Sequence, residues 1–265
     1  MSEYNQLERA SGIRGQRVLV TGASGFIGAH LCQRLIECGA TVHGISRHPQ
    51  RTHNMQMAWN TGDVTSIKTV RELFRVVKPD TVYHLASHVM GAPNLEHVLP
   101  TFHANLESTV NILTAAAEAG CRRLILTGSL AEPDIRNGEL FPSAPYAAAK
   151  WASSGYGRMF HALYGVPVVI ARVFMVYGPA QRDLSKLIPY TVLSLLQGKA
   201  PKISSGKRMV DWINVHDVVD GYIALAEVAG VEGSTVEIGS GELVSIREIV
   251  SCRRSCRCRD RPLLW

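Results

Sequence analysis

The sequence predicts an α/β fold: a doubly wound parallel sheet followed by a small C-terminal lobe. Three observations predict it. Short apolar runs alternate with longer helical patterns over most of the chain. Glycines at three-residue spacing stand between the first such run and the first helix. The 265 residues suffice for one large core with an appendage.

The first strand is read in Val18, Leu19 and Val20, an apolar, β-branched run suited to burial on both faces. Gly22, Gly25 and Gly28 follow, then a helical run from Phe26 to Glu37. One glycine makes the sharp turn out of the strand, one lets the backbone approach a pyrophosphate, and one packs the helix closely. The positive helix start, with its unbonded amides, then faces the diphosphate. Gly22, Ser24, Gly25, Phe26, Ile27 and Gly28 are therefore the expected phosphate cradle of a Rossmann-like domain.

Thr41 to Ile45 reads as the second strand. Ser46 and Arg47 stand at its end, where proteins that prefer NAD carry an acid for the ribose hydroxyl, and no acid occurs between Thr41 and Asn60. An arginine there pairs with a 2′-phosphate, so the expected cofactor is NADP, with NAD as the alternative. Asp63 and Val64 precede a helix over Ile67 to Val77; Asp63 reads as a turn or capping residue and as an adenine contact.

Asp80 to Ser87 is the next strand, placing Leu85, Ala86 and Ser87 at the cofactor crevice. A helix is expected from about Leu99 to Ala119, carrying Asn105, and then a strand over Arg122 to Leu130, ending in Ser129. The alanine-rich run after Pro145 favours a helix, and Tyr146 and Lys150, four apart, share one face of it. An ammonium beside a phenol favours the phenolate and lowers its pKa, as a general acid/base for a sugar hydroxyl or carbonyl requires.

The substrate lobe begins after Pro179, with an apolar helix at Leu187 to Leu196. Asp217 is expected to N-cap a helix over Val218 to Val228. Thr235 to Ile238 reads as a last strand rejoining the main sheet, and a further helix begins at Ser245. The expected division is a polar leader at 1–15, a dinucleotide-binding domain at 16–178 with 211–241 returning to it, and a substrate lobe at 179–210 and 242–265. Residues 251–265 show neither helical nor strand periodicity, so a truncated or frame-shifted end and an incomplete lobe are expected.

Charge and cysteine usage separate body from tail. Of the net charge of +6, the last fifteen residues hold +4, five arginines against Asp260, so the body has no basic bias and a nucleic-acid partner is not expected. Cys32, Cys38 and Cys121 fit reduced, buried thiols; Cys252, Cys256 and Cys258 lack a fourth ligand, so no metal is expected. No apolar run is long enough to span a membrane and no secretory signal core is present, which together give an expected cytoplasmic location.

The motifs TGASGFIG, GDV, HLAS, Asn105, GSLAE, YAAAK, RVFMVYGP and DWINVHDVVDG, in this order, resemble the extended short-chain dehydrogenase/reductases, the NAD(P)-dependent nucleotide-sugar epimerase/dehydratase family. The resemblance runs from about Arg17 to Val250. It implies Ser129, Tyr146 and Lys150 as the catalytic triad. Tyr146 would exchange the proton, Ser129 would bond the reacting oxygen, and Lys150 would bind the nicotinamide ribose. It implies that Asn105 supports the active-site helix, that Ser87, Ser129 and Arg208 meet the substrate, and that a homodimer forms through the helices at Leu99–Ala119 and Tyr146–Tyr164.

Departures from the family pattern narrow the chemistry. Leu130 and Ala131 follow Ser129 where 4,6-dehydratases carry acids, and Glu132 is one place too far, which argues against dehydration. Met175 replaces a common asparagine. Val210 replaces the phosphate-binding arginine; Arg208, two residues earlier and so expected on the same strand face, is the substitute. The expected activity is a 4-keto reductase or 4-epimerase of a nucleotide-activated sugar. The alternatives are a reductase of a small carbonyl compound and a non-catalytic NADP-binding protein.

Overall fold

A computed structural model describes residues 11–50, 57–134, 138 and 141–255. In chain order its elements are β1 (Arg17–Thr21), α1 (Phe26–Glu37), β2 (Thr41–Ser46), β3 (Met57–Thr61), α2 (Ile67–Val77) and β4 (Thr81–His84). There follow α3 (Val98–Thr101), a π-helical turn (Phe102–Glu107), α4 (Ser108–Ala119), β5 (Arg123–Ser129), α5 (Pro145–Tyr164), β6 (Val168–Val173) and β7 (Met175–Tyr177). The chain continues through α6 (Leu187–Leu196), β8 (Met209–Asn214), α7 (Val215–Glu227), β9 (Thr235–Ile238), β10 (Leu243–Ser245) and α8 (Ile246–Ser255).

Among the described residues seven parallel strands form one sheet in the order β3-β2-β1-β4-β5-β6-β9. The order reverses between β1 and β4, and the crevice beyond their carboxyl ends is where ligands bind in such sheets. Alternation along the strands fills both faces. Val18, Val20, Tyr83, Ile125 and Val169 pack with Leu31 and Leu35 of α1 and Tyr222 of α7. Leu19, Val82, Leu124, Leu126 and Ile170 pack with Phe74 of α2, Ile112 of α4 and Phe160 of α5.

A second, three-stranded sheet, β10-β8-β7, carries the lobe, with Val210 and Trp212 packed against Ile188 of α6. Within 211–241, α7 and β9 lie on or in the main sheet, whereas β8 belongs to the small one.

Several expected elements change. β3 is a strand beyond those expected: it is the sheet's edge and only half-buried, so its alternation is weak. The long helix expected from Leu99 is broken by the π-helical turn around Asn105. The strand expected to run to Ser87 ends at His84. Asp217 does not cap its helix: α7 starts two residues earlier, and the Asn214 side chain accepts the His216 amide at 2.9 Å, leaving Asp217 in the first turn. The last helix passes Val250 and reaches Ser255. The remaining tail, with Cys256, Cys258, Leu263 and Trp265, lies outside the described residues, as does most of the leader.

Candidate active site

The glycine turn at the end of β1 closes as its residue types require. Gly22 has φ +70°, and a Cβ there would stand 2.7 Å from the Ala86 amide nitrogen. The turn thus touches the end of β4 directly across the switch point. The Gly25 amide donates to the Gly22 carbonyl at 2.9 Å, and Gly25 begins α1 with no side-chain cap. A Cβ on Gly28 would collide with the Gly22 carbonyl oxygen, so only glycine lets α1 sit this close to the strand. The amides of Phe26, Ile27 and Gly28, at the first turn, have no intrahelical acceptor and point out of the helix start. This set fits a dinucleotide diphosphate.

At the end of β2, the Ser46 hydroxyl accepts from the His48 amide at 3.4 Å and the Gln50 amide nitrogen at 3.0 Å. Arg47 beside it is exposed and has no ion-pair partner among the described residues. Asp63 makes a local turn, accepting the Thr65 amide at 2.9 Å, while the cap of α2 is Ser66.

Past β4, the Leu85 amide donates to the Thr21 carbonyl at 3.2 Å and the Ala86 amide to the Thr21 hydroxyl at 3.1 Å. Asn105, 1% exposed, pins the next residues. Its Oδ1 accepts from the Ser87 hydroxyl at 3.1 Å and the His88 amide at 2.6 Å, and its Nδ2 donates to the His88 carbonyl. The Asn105 carbonyl accepts from Thr109 at 2.6 Å and from Ser153 of α5 at 3.2 Å. The π-helical turn therefore presents one residue to both the crevice loop and the active-site helix, a use typical of such turns.

Ser129, Tyr146 and Lys150 come together. Ser129 ends β5 and is buried, and its side chain is hydrogen-bonded to that of Tyr146. Tyr146 follows Pro145 at the start of α5. One turn on, Lys150 is 4% exposed; its Nζ donates to the Thr127 carbonyl at 2.9 Å and lies 5.9 Å from the centre of the Tyr146 ring. Burial pushes the Lys150 ammonium down to about 8, opposed by the charge of Glu132.

The phenol departs from expectation. Burial raises the Tyr146 pKa above the ordinary tyrosine value; the Ser129 hydrogen bond lowers it and the Glu132 charge raises it. The expected lowering by Lys150 is not met because the ammonium lies over the ring and bonds a backbone carbonyl rather than the hydroxyl. The group is a phenol at neutral pH.

Two further residues were not singled out as functional from the sequence. His84 forms a relay, with Thr21 Oγ1 at 2.8 Å from Nδ1 and Ser108 Oγ at 3.3 Å from Nε2. Because Ser108 donates to the Ala104 carbonyl, it accepts from Nε2–H, and the network assigns a neutral imidazole. Burial holds its pKa down to about 3. Glu132 turns inward, 3% exposed, and its Oε1 accepts the Ser129 amide at 2.8 Å. A carboxylate so placed is not aimed at a substrate. Arg208 immediately precedes β8 and is exposed, while Val210, two residues on, is buried in the lobe core. Among the described residues no cluster of ligating side chains suits a metal, and no helix is long and apolar enough to cross a membrane.

The buried ammonium has a thermodynamic consequence. Its pKa is depressed on folding, so folding is penalised while the lysine is charged. The penalty is full below about pH 8 and is relieved as pH rises towards the ordinary lysine value. The wild type is therefore expected to gain stability relative to Lys150→Met as pH rises from about 8 towards the ordinary lysine value, read as a changing difference in Tm; a difference independent of pH over that range contradicts it.

A glycine turn that fits a diphosphate at a sheet switch point, together with a Ser-Tyr-Lys cluster at the end of β5 and the start of α5, is the arrangement expected of a dinucleotide-dependent enzyme of the short-chain dehydrogenase/reductase class. The sequence model of the NAD dependent epimerase/dehydratase family matches residues 18–239. A UDP-glucose 4-epimerase from Mycolicibacterium smegmatis is 31% identical, over 88% of this chain and 80% of its own length. A dTDP-glucose 4,6-dehydratase from an Actinoplanes species is 29% identical, over 85% of this chain and 77% of its own. The structure of a UDP-glucuronic acid 4-epimerase from Bacillus cereus, in complex with UDP-glucuronic acid and NAD, is similar with a TM-score of 0.77 and 27% identity, covering 88% of this chain and 81% of that one. The chain belongs to the NAD-dependent epimerase/dehydratase family of extended short-chain dehydrogenase/reductases.

Proposed function

We propose that this enzyme is a 4-epimerase of a nucleotide-activated sugar. The observation that carries the reading is the buried Ser129–Tyr146 hydrogen bond beside Lys150, at the mouth of the crevice that the glycine turn opens. The residues fit a nicotinamide dinucleotide. Gly22, Ser24, Gly25, Phe26, Ile27 and Gly28 would hold the diphosphate, Asp63 and Val64 the adenine end, and Leu85, Ala86 and Ser87 the crevice wall. When bound, the nicotinamide supplies reversible hydride transfer at a sugar carbon.

In this reading Tyr146 exchanges a proton with the sugar hydroxyl and Ser129 holds the reacting oxygen. Lys150 binds the ribose, and Asn105 fixes the loop and helix between which the sugar sits. Ser87 and Arg208 contact the substrate, Arg208 as an exposed cation without an ion-pair partner among the described residues. The inward Glu132 supports epimerisation over dehydration, which needs an acid facing the sugar. Relatives named as epimerases support the same choice. The test is a panel of UDP-, GDP- and dTDP-sugars with the loaded enzyme, followed by product identity. An inverted sugar is expected; turnover of simple aldehydes or ketones alone contradicts the reading.

A second reading, NADP-linked 4-keto reduction, is favoured by one observation: Arg47 is exposed and unpaired among the described residues, at the end of β2. If it grips a 2′-phosphate, Arg47→Asp weakens NADP binding about tenfold or more, the worth of a charge-assisted bond, with little effect on NAD. Equal affinities in variant and wild type reject NADP preference.

A homodimer is part of the proposal. Leu99 and Phe102 at one helix, and Tyr156, Leu163 and Tyr164 of α5, are exposed apolar side chains on the two helices expected at the interface.

A further inference from the structure

Behind the Ser129–Tyr146–Lys150 cluster lies a carboxylate that the proposed chemistry leaves without a role. One oxygen of Glu132 accepts the Ser129 amide at 2.8 Å. The other lies 3.7 Å from a guanidinium nitrogen of Arg172 on β6, which reaches outward to Glu237 of β9 at 3.6 Å. Lys150 is fastened to the Thr127 carbonyl. Ammonium and carboxylate are thus tied to backbone atoms two residues apart at the carboxyl end of β5. Gly128 between them makes room, since a Cβ there would stand 2.7 Å from Glu132 Oε1.

We propose that Glu132 is a positioning residue of the proton-transfer site. Its buried carboxylate is the counter-charge that holds Lys150 as an ammonium, and its bond to the Ser129 amide fixes the hydroxyl that meets Tyr146. The inference rests on the roles proposed above for those three residues.

The physical need is plain. A buried ammonium loses its hydration, and without a nearby anion it sheds its proton instead. A backbone carbonyl supplies a hydrogen bond but no net charge. Arg172 lies 3.7 Å from the other carboxylate oxygen and takes part of its field. The other titratable groups around the cluster do not replace Glu132. His84 from β4 is neutral, Tyr222 from α7 bonds the Thr127 hydroxyl at 2.7 Å, and Glu237 lies beyond Arg172. The same carboxylate disfavours the Tyr146 phenolate, so it keeps the tyrosine a proton donor while keeping the lysine charged.

The test reads Lys150 itself, not turnover. The full-length chain, isotope-labelled at lysine Cε, is titrated by NMR, and the Lys150 signal is identified by its loss in Lys150→Met. Glu132→Gln preserves size and the acceptor for Ser129 but removes the charge; its Lys150 midpoint is expected to fall below that of the wild type. Arg172→Gln leaves the carboxylate less neutralised, and its midpoint is expected to rise. A pocket merely loosened by mutation would admit water and raise both. An unchanged or raised midpoint in Glu132→Gln, or one that fails to rise in Arg172→Gln, overturns the proposal. If no nucleotide sugar is turned over, the proposed activity fails while this titration still decides the role of Glu132.

Discussion

Tyr146→Phe is expected to reduce turnover by about 10²- to 10⁴-fold, the usual worth of a positioned general acid/base. Cofactor affinity should stay within about twofold of wild type. The substitution removes one oxygen from a half-buried ring whose hydroxyl is bonded to Ser129, and it leaves the ring on which Lys150 rests. Binding is therefore largely spared. Loss of kcat without a matching rise in KM is the signature of an interaction made in the transition state. A variant that keeps wild-type kcat would remove Tyr146 from the chemistry. Because burial and Glu132 both raise the phenol, wild-type turnover should not show a tyrosine limb at neutral pH in the direction of reduction.

The second large effect is expected at Gly28. An alanine there forces its methyl into the Gly22 carbonyl, which is backbone and cannot swing aside. Either α1 moves away from β1 or the turn opens, and both spoil the cradle. Gly28→Ala should cost about 1–3 kcal/mol of stability as overpacking and, more tellingly, abolish measurable dinucleotide binding. Gly155 in the middle of α5 is the control: a Cβ there meets nothing within 4 Å. Gly155→Ala should leave binding intact and stabilise the helix by up to about 1 kcal/mol. Calorimetric titration with NAD, alongside thermal melts of both variants, separates the two. Normal binding by Gly28→Ala would contradict the assigned cradle.

How far the sequence foretold this molecule depended on how local each cause was. The glycine turn was legible because its constraints act within seven residues. The Tyr146–Lys150 pairing was legible because the helical repeat alone fixes it. Burial on both sheet faces showed in the uninterrupted apolar run Val18 to Val20. What could not be read came from partners distant in the chain. β3 is a strand because β2 pairs with it, not because Met57 to Thr61 alternate strongly. The π-helical turn follows from what Asn105 must reach, His88 on one side and Ser153 on the other. Asn214 outcompetes Asp217 as a cap only because β8 ends there. Glu132 looked misplaced when compared with a linear motif. Its neighbours Ser129 and Arg172 show that it faces inward, and burial of the phenol, with the Glu132 charge, reverses the expected sign of the tyrosine shift.

In the proposed activity a sugar hydroxyl is oxidised where Ser129, Tyr146 and the dinucleotide cradle meet. Its most direct test is a single-turnover experiment with cofactor-loaded protein, adding nucleotide sugars while following the near-ultraviolet absorbance of reduced nicotinamide. A transient rise is expected with at least one nucleotide sugar in the wild type, and none in Tyr146→Phe at equal cofactor occupancy. No rise with any nucleotide sugar, or an equal rise in both proteins, would contradict it.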